Sequence, residues 1–213
     1  MDRLDQISTF NRIYQVSRET TLDLEKFEKI LIEANKSVNL IAKSTINQIW
    51  HRHILDSIQV IDFIDKNDKK LVDLGSGAGF PGLVIAIAAK WKKIPLKICL
   101  VEKSKRKTKF LREAIKKLSL DVDVVCENIL IGPKKITGDV FVARAFKPLP
   151  IILKLIHNNK VNFKKFFVFL GKSGGGQLLQ ASKAWDIKYK QRMSITNTDS
   201  FIIEINKLNK KVN

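Results

Sequence analysis

The sequence predicts an α/β fold: a mainly parallel seven-stranded sheet covered by helices on both faces and closed by an antiparallel hairpin. Three observations predict it. Short apolar runs of strand length recur from about residue 70 onward, with helix-length segments between them. The first run, 71–74, breaks into Gly75-Ser-Gly-Ala-Gly79 and opens a helix at Pro81, while the second ends on an acid, Glu102. Residues 1–65, by contrast, read as helices.

Taken in order, Thr21 is placed to cap a helix in which Leu24, Phe27, Leu31 and Ala34 recur at helical spacing, with Glu25 in its first turn. A further helix over 46–64 carries His53, Leu55, Asp56 and Ser57. Strands follow at 71–74, 98–101, 122–126, 140–143 and 166–170. Residues 83–90 are apolar nearly all round, as a helix pressed on a sheet would be. Ser104 can cap a helix over 105–118 whose apolar face is Phe110, Leu111, Ala114, Ile115 and Leu118. Two last strands, near 188–194 and 201–205, flank Asn197-Thr-Asp199 and form the closing hairpin. Without repeats or linkers, 1–213 is expected to be one unit, a helical extension (1–65) on a core (66–213).

Composition bounds the function. Lys and Arg total 39 against 21 Asp and Glu, a net charge of +18, which is the electrostatic footprint of a nucleic-acid binder. No run reaches membrane-spanning length and the first residues do not resemble a signal peptide, so no membrane partner is expected. Cys99 and Cys126 lie in apolar strands without C-x-x-C spacing and are expected to be buried thiols in a reducing cytoplasm. His51, His53 and His157 lack zinc-site spacing, so no metal is expected. Gly171-Lys-Ser173 imitates the end of a phosphate-binding loop, but the glycine required five residues earlier is Phe166, and the loop Gly174-Gly-Gly176 does not rescue it.

The glycine loop carries the chemistry. Gly75, Gly77 and Gly79 permit a sharp turn and leave no Cβ between backbone and ligand. A dinucleotide fingerprint would need glycine at position 80, which is Phe80; the spacing G-x-G-x-G after Asp73 fits S-adenosylmethionine better. Asp73 is placed to receive that ligand's amino group, directly or through water, the helix start after Pro81 its carboxylate, and Glu102 its ribose hydroxyls. Arg144 ends a strand at the same edge and is the candidate catalytic residue, able to reach a carboxylate, a phosphate or guanine O6. Phe146 is placed either to stack on a base or to cover the core. His53 and Asp56, three apart on one helical face, are expected to fasten the N-terminal helices over the pocket. Lys105, Arg106 and Lys109 open the basic helix beside it and are candidate RNA phosphate contacts.

Asn39-Leu40, Arg52-His-Ile-Leu-Asp-Ser57, Asp73-Leu-Gly-Ser-Gly-Ala-Gly-Phe-Pro-Gly82, the helix start at 105–111 and Arg144-Ala-Phe146 stand in an order that resembles the bacterial 16S ribosomal RNA small subunit methyltransferase G family, also called glucose-inhibited division protein B. The resemblance implies a class I S-adenosylmethionine-dependent methyltransferase (Rossmann-like) fold. It implies methylation of N7 of one guanosine in the 530-loop region of 16S ribosomal RNA, with the small ribosomal subunit as partner. It also implies that Gly75, Phe80, Arg144 and the pair Ile129-Leu130 line the cofactor site. That pair usually includes a Glu, and a Lys commonly stands where this chain has Leu170. The residues agree with N7 chemistry: Ala143-Arg-Ala-Phe146 occupies the place of an amine-methylating Asn/Asp-Pro-Pro motif, and neither cysteine is placed as a nucleophile. Two alternatives stand beside it, a non-catalytic ribosome-assembly factor and a methyltransferase for a small molecule or protein; the charge argues against the latter. A monomer is expected.

Overall fold

The computed structural model describes residues 1–131 and 136–211. Helices α1 (Arg3–Tyr14) and α2 (Arg18–Asn35) come first. Ser17, rather than Thr21, caps α2 by accepting from the Thr20 N–H at 3.2 Å. Thr21 lies one turn inside, where its hydroxyl donates to Asn11 Oδ1 at 2.9 Å. The single helix expected over 46–64 is instead a succession: a 3₁₀ segment (Lys43–Gln48), a π-helical turn (Trp50–Leu55), then α3 (Asp56–Ile58) and a 3₁₀ turn (Ile61–Phe63). The wide turn buries Trp50, Ile54 and Leu55 together. Trp50 Nε1 donates to the buried Glu28 carboxylate at 2.9 Å, which anchors the segment to α2.

The remaining elements alternate: β1 (Lys70–Leu74), α4 (Gly82–Trp91), β2 (Lys97–Glu102), α5 (Lys105–Leu118), β3 (Val122–Cys126), β4 (Val140–Arg144), α6 (Leu149–Asn158), β5 (Lys165–Leu170), α7 (Gly174–Ala184), β6 (Trp185–Met193) and β7 (Phe201–Lys210). They form a seven-stranded sheet in the order β3-β2-β1-β4-β5-β7-β6. Strands β1 to β5 are parallel, and β7 runs antiparallel between β5 and β6. The chain winds outward from β1 one way and resumes at β4 on its other side. A crevice therefore opens at the carboxyl ends of β1 and β4, where such sheets bind ligands.

Two apolar cores flank the sheet. One packs α1, α2 and the irregular segment with α4 and α5, and it includes Phe10, Phe27, Trp50 and Leu111. The other packs α6 and α7 against Phe141, Phe166 and Ile203. Three expectations need correction. Gly174-Gly-Gly176 is not a loop but the first turn of α7. The hairpin strands are longer than expected, because β6 lies at the sheet edge and much of it is polar and exposed. Cys126 is exposed because it ends β3, the opposite edge strand, and Cys99 on the neighbouring β2 is half-buried. Among the described residues no helix is long and apolar enough to cross a membrane.

Candidate active site

The loop after β1 makes three successive left-handed turns, at Gly75 (φ +76°), Gly77 (+57°) and Gly79 (+88°). The N–H groups of Gly75 and Ser76 both donate to Val101 O, at 2.8 and 3.1 Å, which ties the loop to β2. Glu102, 7% exposed at the end of β2, then completes the corner: Oε2 accepts from Gly77 N–H at 3.0 Å and Oε1 from Ser104 N–H at 2.8 Å. Ser104 in turn caps α5 through Lys107 N–H, so one carboxylate aligns the loop and the helix start. Each Glu102 oxygen retains lone-pair capacity for a further donor.

These elements bound a cavity of about 430 Å³. Gly75, Gly77, Phe80, Glu102, Ile129, Leu130 and Arg144 all line it. Ile129 is buried and Leu130 exposed, held by an N–H bond to Asn128 Oδ1 at 3.2 Å. Gly75 is required twice over, since a Cβ there would lie 2.2 Å from the Phe146 ring. Phe146 therefore packs down on the glycine loop.

Asp73 and Gly79 do not line the cavity. Asp73 is fully buried beneath the loop, where Oδ2 accepts from Gly82 N–H, the first residue of α4, at 3.0 Å, and Oδ1 has no partner among the described residues. A helix start is a strong donor to a carboxylate, and this one is already taken: Leu83 N–H also turns inward, to Gly79 O at 2.8 Å. The α4 start, expected to receive a carboxylate, is thus occupied by Asp73 Oδ2, whereas Asp73 keeps Oδ1 uncommitted among the described residues and lies beneath the loop rather than in the cavity. Burial pushes the Asp73 carboxyl up to about 7, against the opposing pull of Gly82 N–H. Gly79 serves packing, since a Cβ would stand 2.6 Å from Leu83. Pro81 is the N-cap of α4 rather than its first residue, so the helix begins at Gly82, one residue after the expected start, and Pro81 follows a cis peptide bond.

Arg144 is held by the irregular N-terminal segment. Its Nε donates to Asp56 Oδ2 at 2.8 Å and its Nη2 to Arg52 O at 2.7 Å, while Nη1 and Nη2 each lie 3.4 Å from His53 Nδ1. A guanidinium only donates, so His53 Nδ1 is the acceptor and its Nε2–H faces Thr45 Oγ1 at 3.0 Å. Burial, reinforced by Arg144, pushes His53 down to about 4 and keeps it neutral. Its ring stacks on Phe80 with centroids 5.0 Å apart. His53 and Asp56 thus fasten the N-terminal segment over the pocket by way of Arg144. Ala145, with φ +50°, makes the backbone turn that sends Arg144 and Phe146 to different partners. Residues in such conformations collect at functional sites.

Lys105, Arg106 and Lys109 are exposed and do not line the cavity. Arg106 reaches across to Ser37 O at 2.5 Å. The cations at the rim are Lys103, Lys107 and Lys147. The wall at Leu40–Ala42 was not foreseen from the sequence. Its one local signal is Asn35, whose Oδ1 accepts from the N–H groups of Leu40 and Ile41 at 2.8 and 3.0 Å and folds the chain back after α2.

A sequence model of the family described as rRNA small subunit methyltransferase G matches residues 20–205. The chain is 42% identical over 198 residues to the ribosomal RNA small subunit methyltransferase G of Pelagibacter ubique, covering 92% of each. It is 37% identical over 196 residues to that of Rickettsia felis, covering 92% of this chain and 98% of the relative. In fold it is similar to TrmK of M. capricolum, solved with S-adenosyl-homocysteine (TM-score 0.53, 17% identity, 71% and 67% of the two chains). It is likewise similar to the 16S rRNA methylase RmtB (TM-score 0.53, 12% identity, 90% and 76%). Membership is decided by the extent of the first match and the level of the identities: the chain belongs to the rRNA small subunit methyltransferase G family.

Proposed function

We propose that this protein methylates N7 of a guanine in the 530-loop region of 16S ribosomal RNA, with S-adenosylmethionine as donor, acting as a cytoplasmic monomer on the small ribosomal subunit. The observation that carries the reading is Glu102, pinned by two backbone N–H groups beside a glycine corner and a cavity of about 430 Å³. A fixed acceptor pair of this kind suits the two hydroxyls of a ribose, and Gly77 leaves the backbone bare next to it.

Phe80, Ile129 and Leu130 would flank the adenosyl group with apolar surface, and Arg144 would set a positive charge at the opposite end. When bound, S-adenosylmethionine supplies a methyl carbon activated by its sulfonium, and the electrons of the broken C–S bond stay with sulfur. Guanine N7 already holds an in-plane lone pair, so no side chain has to remove a proton before it attacks. The purine ring takes up the positive charge. His53, neutral and committed to Arg144 and Thr45, is accordingly a positioning residue. Catalysis is then chiefly alignment, a source of effective molarities of about 10⁵–10⁸ M.

N7 lies on the Hoogsteen edge, hidden in an RNA duplex and displayed in a loop. The test is to map tritiated methyl incorporation by the purified protein on small-subunit RNA from cells that lack it. Label at N7 of a guanine is expected; label on adenine, or none, would reject the proposal.

A further inference from the structure

Past Arg144 the crevice continues into a second cavity, of about 320 Å³, between the end of β5 and the turn joining β6 to β7. His53, Arg144 and Ala145 line both this cavity and the one beside the glycine loop, so the two meet at the end of β4. Its size falls among small-ligand sites, and nothing in the reading above gives it an occupant. Leu170 contributes apolar surface, and Ser200 a hydroxyl that engages no other described residue.

Arg144, which lines this cavity, has an unspent donor. A guanidinium carries five N–H groups. Nε–H is taken by Asp56 and one Nη2–H by Arg52 O, and the two 3.4 Å approaches to His53 Nδ1 use at most one hydrogen from each Nη. At least one Nη1–H is therefore left without a partner among the described residues. A third cavity, of about 460 Å³, shares Arg144, Asp56 and Ser200 with the second and is lined also by the exposed Arg52.

We propose that the second cavity is the slot for the acceptor base. It takes a purine nucleotide turned out of an RNA loop, with the N7–O6 edge toward Arg144 and the sugar-phosphate toward Arg52. The inference rests on the functional reading above and adds the place and the selectivity. Guanine offers an acceptor, O6, beside N7, whereas adenine offers an amino donor. A guanidinium N–H pairs with the first and opposes the second, a preference of about 10- to 100-fold for one good contact.

Gly171 provides the test. A Cβ added there would meet nothing nearer than Ser200 Oγ at 4.0 Å, so larger side chains suit the fold while filling the cavity. Across Gly171→Ala, Gly171→Leu and Gly171→Phe, methyl transfer to small-subunit RNA is expected to fall with increasing volume, by about 100-fold for Phe. Thermal midpoint and calorimetric affinity for S-adenosylmethionine are expected to stay at wild-type values. Full transfer by Gly171→Phe would overturn the proposal; so would loss of donor affinity in step with transfer, which would make the cavity part of the donor's site. Should the Phe variant melt early, Ser200→Leu fills the slot from the opposite wall and is read by the same two measurements. A wild-type protein that leaves guanine N7 unlabelled would reject the functional reading itself and is scored first.

Discussion

Glu102 joins structure to chemistry at one side chain, because the N–H groups that hold it come from the glycine loop and from the cap of α5. Replacing it with Ala removes both the proposed ribose acceptor and the brace of the loop. Hydrogen bonds to a charged group contribute about 1.5–3 kcal/mol each, so Glu102→Ala is expected to weaken donor affinity at least about tenfold. Calorimetry would check this, and wild-type affinity in the variant would remove Glu102 from the site. The two strongly perturbed groups beneath the pocket make opposite pH predictions. His53 has a folded value of about 4 against 6.5 in the unfolded chain, so between those values the unfolded state binds more protons. Its contribution is whole above about 6.5 and is lost as pH falls toward 4. Asp73 has a folded value of about 7 against 3.8, so here the folded state binds more protons. Its contribution is whole below 3.8 and is lost as pH rises through 7. Urea midpoints at pH 5 and pH 7 should therefore diverge: His53→Gln should lessen the fall toward pH 5, and Asp73→Asn should lessen the fall toward neutrality. The same direction of change in both variants would contradict the assignment.

At the scale of elements, Asp56 at the start of α3 joins pieces that are distant in sequence. Oδ2 accepts from Arg144 at the end of β4, and Oδ1 from Ser194 and Thr196 in the β6–β7 turn, at 3.0 and 3.2 Å. Asp56→Ala would strand a mostly buried guanidinium and free that turn, and is expected to cost about 3 kcal/mol, the low end for a broken buried pair. Urea unfolding measures the loss, and a change below about 1 kcal/mol, the worth of an exposed pair, would mean that water replaces the carboxylate. This contact also marks the limit of what the sequence discloses. Strands β1, β4 and β5 were legible because burial on both faces leaves near-continuous apolar runs. Edge strand β6 was legible only in part, since its exposed positions are polar. The π-helical turn was not, because apolar spacing is nearly the same in a normal and a widened helix. The glycine corner and Glu102 announced themselves through backbone conformation and strand ends. The Arg144–Asp56 pair spans 88 residues, and no local pattern encodes such a meeting; only the shared helical face of His53 and Asp56 pointed toward it.

Over the whole molecule, a net charge of +18 suits an anionic substrate, yet its arrangement decides whether the contact is diffuse or local. Helix α5 starts at the carboxyl end of β2, beside the cavity mouth, and ends a helix length away at Lys116 and Lys117. Lys105 and Lys109 are exposed near the mouth, while Lys116 and Lys117 are exposed at the far end. Arg106 has one guanidinium nitrogen committed to Ser37 O, so it presents charge without its full fork of donors. If loop RNA is seated at the mouth, each phosphate contact contributes about 0.7 to the slope of log affinity against log salt for a single strand. Lys105→Gln with Lys109→Gln should then lower that slope by about 1.4 and weaken binding similarly across RNA sequences, because phosphate contacts carry no base identity. Lys116→Gln with Lys117→Gln removes the same charge from the distant end and should leave the slope unchanged. Affinity measured for small-subunit RNA over a range of salt separates the cases. Equal losses in both double variants would mean that the protein is held by its overall field, and that α5 supplies charge to that field without touching the RNA at its start.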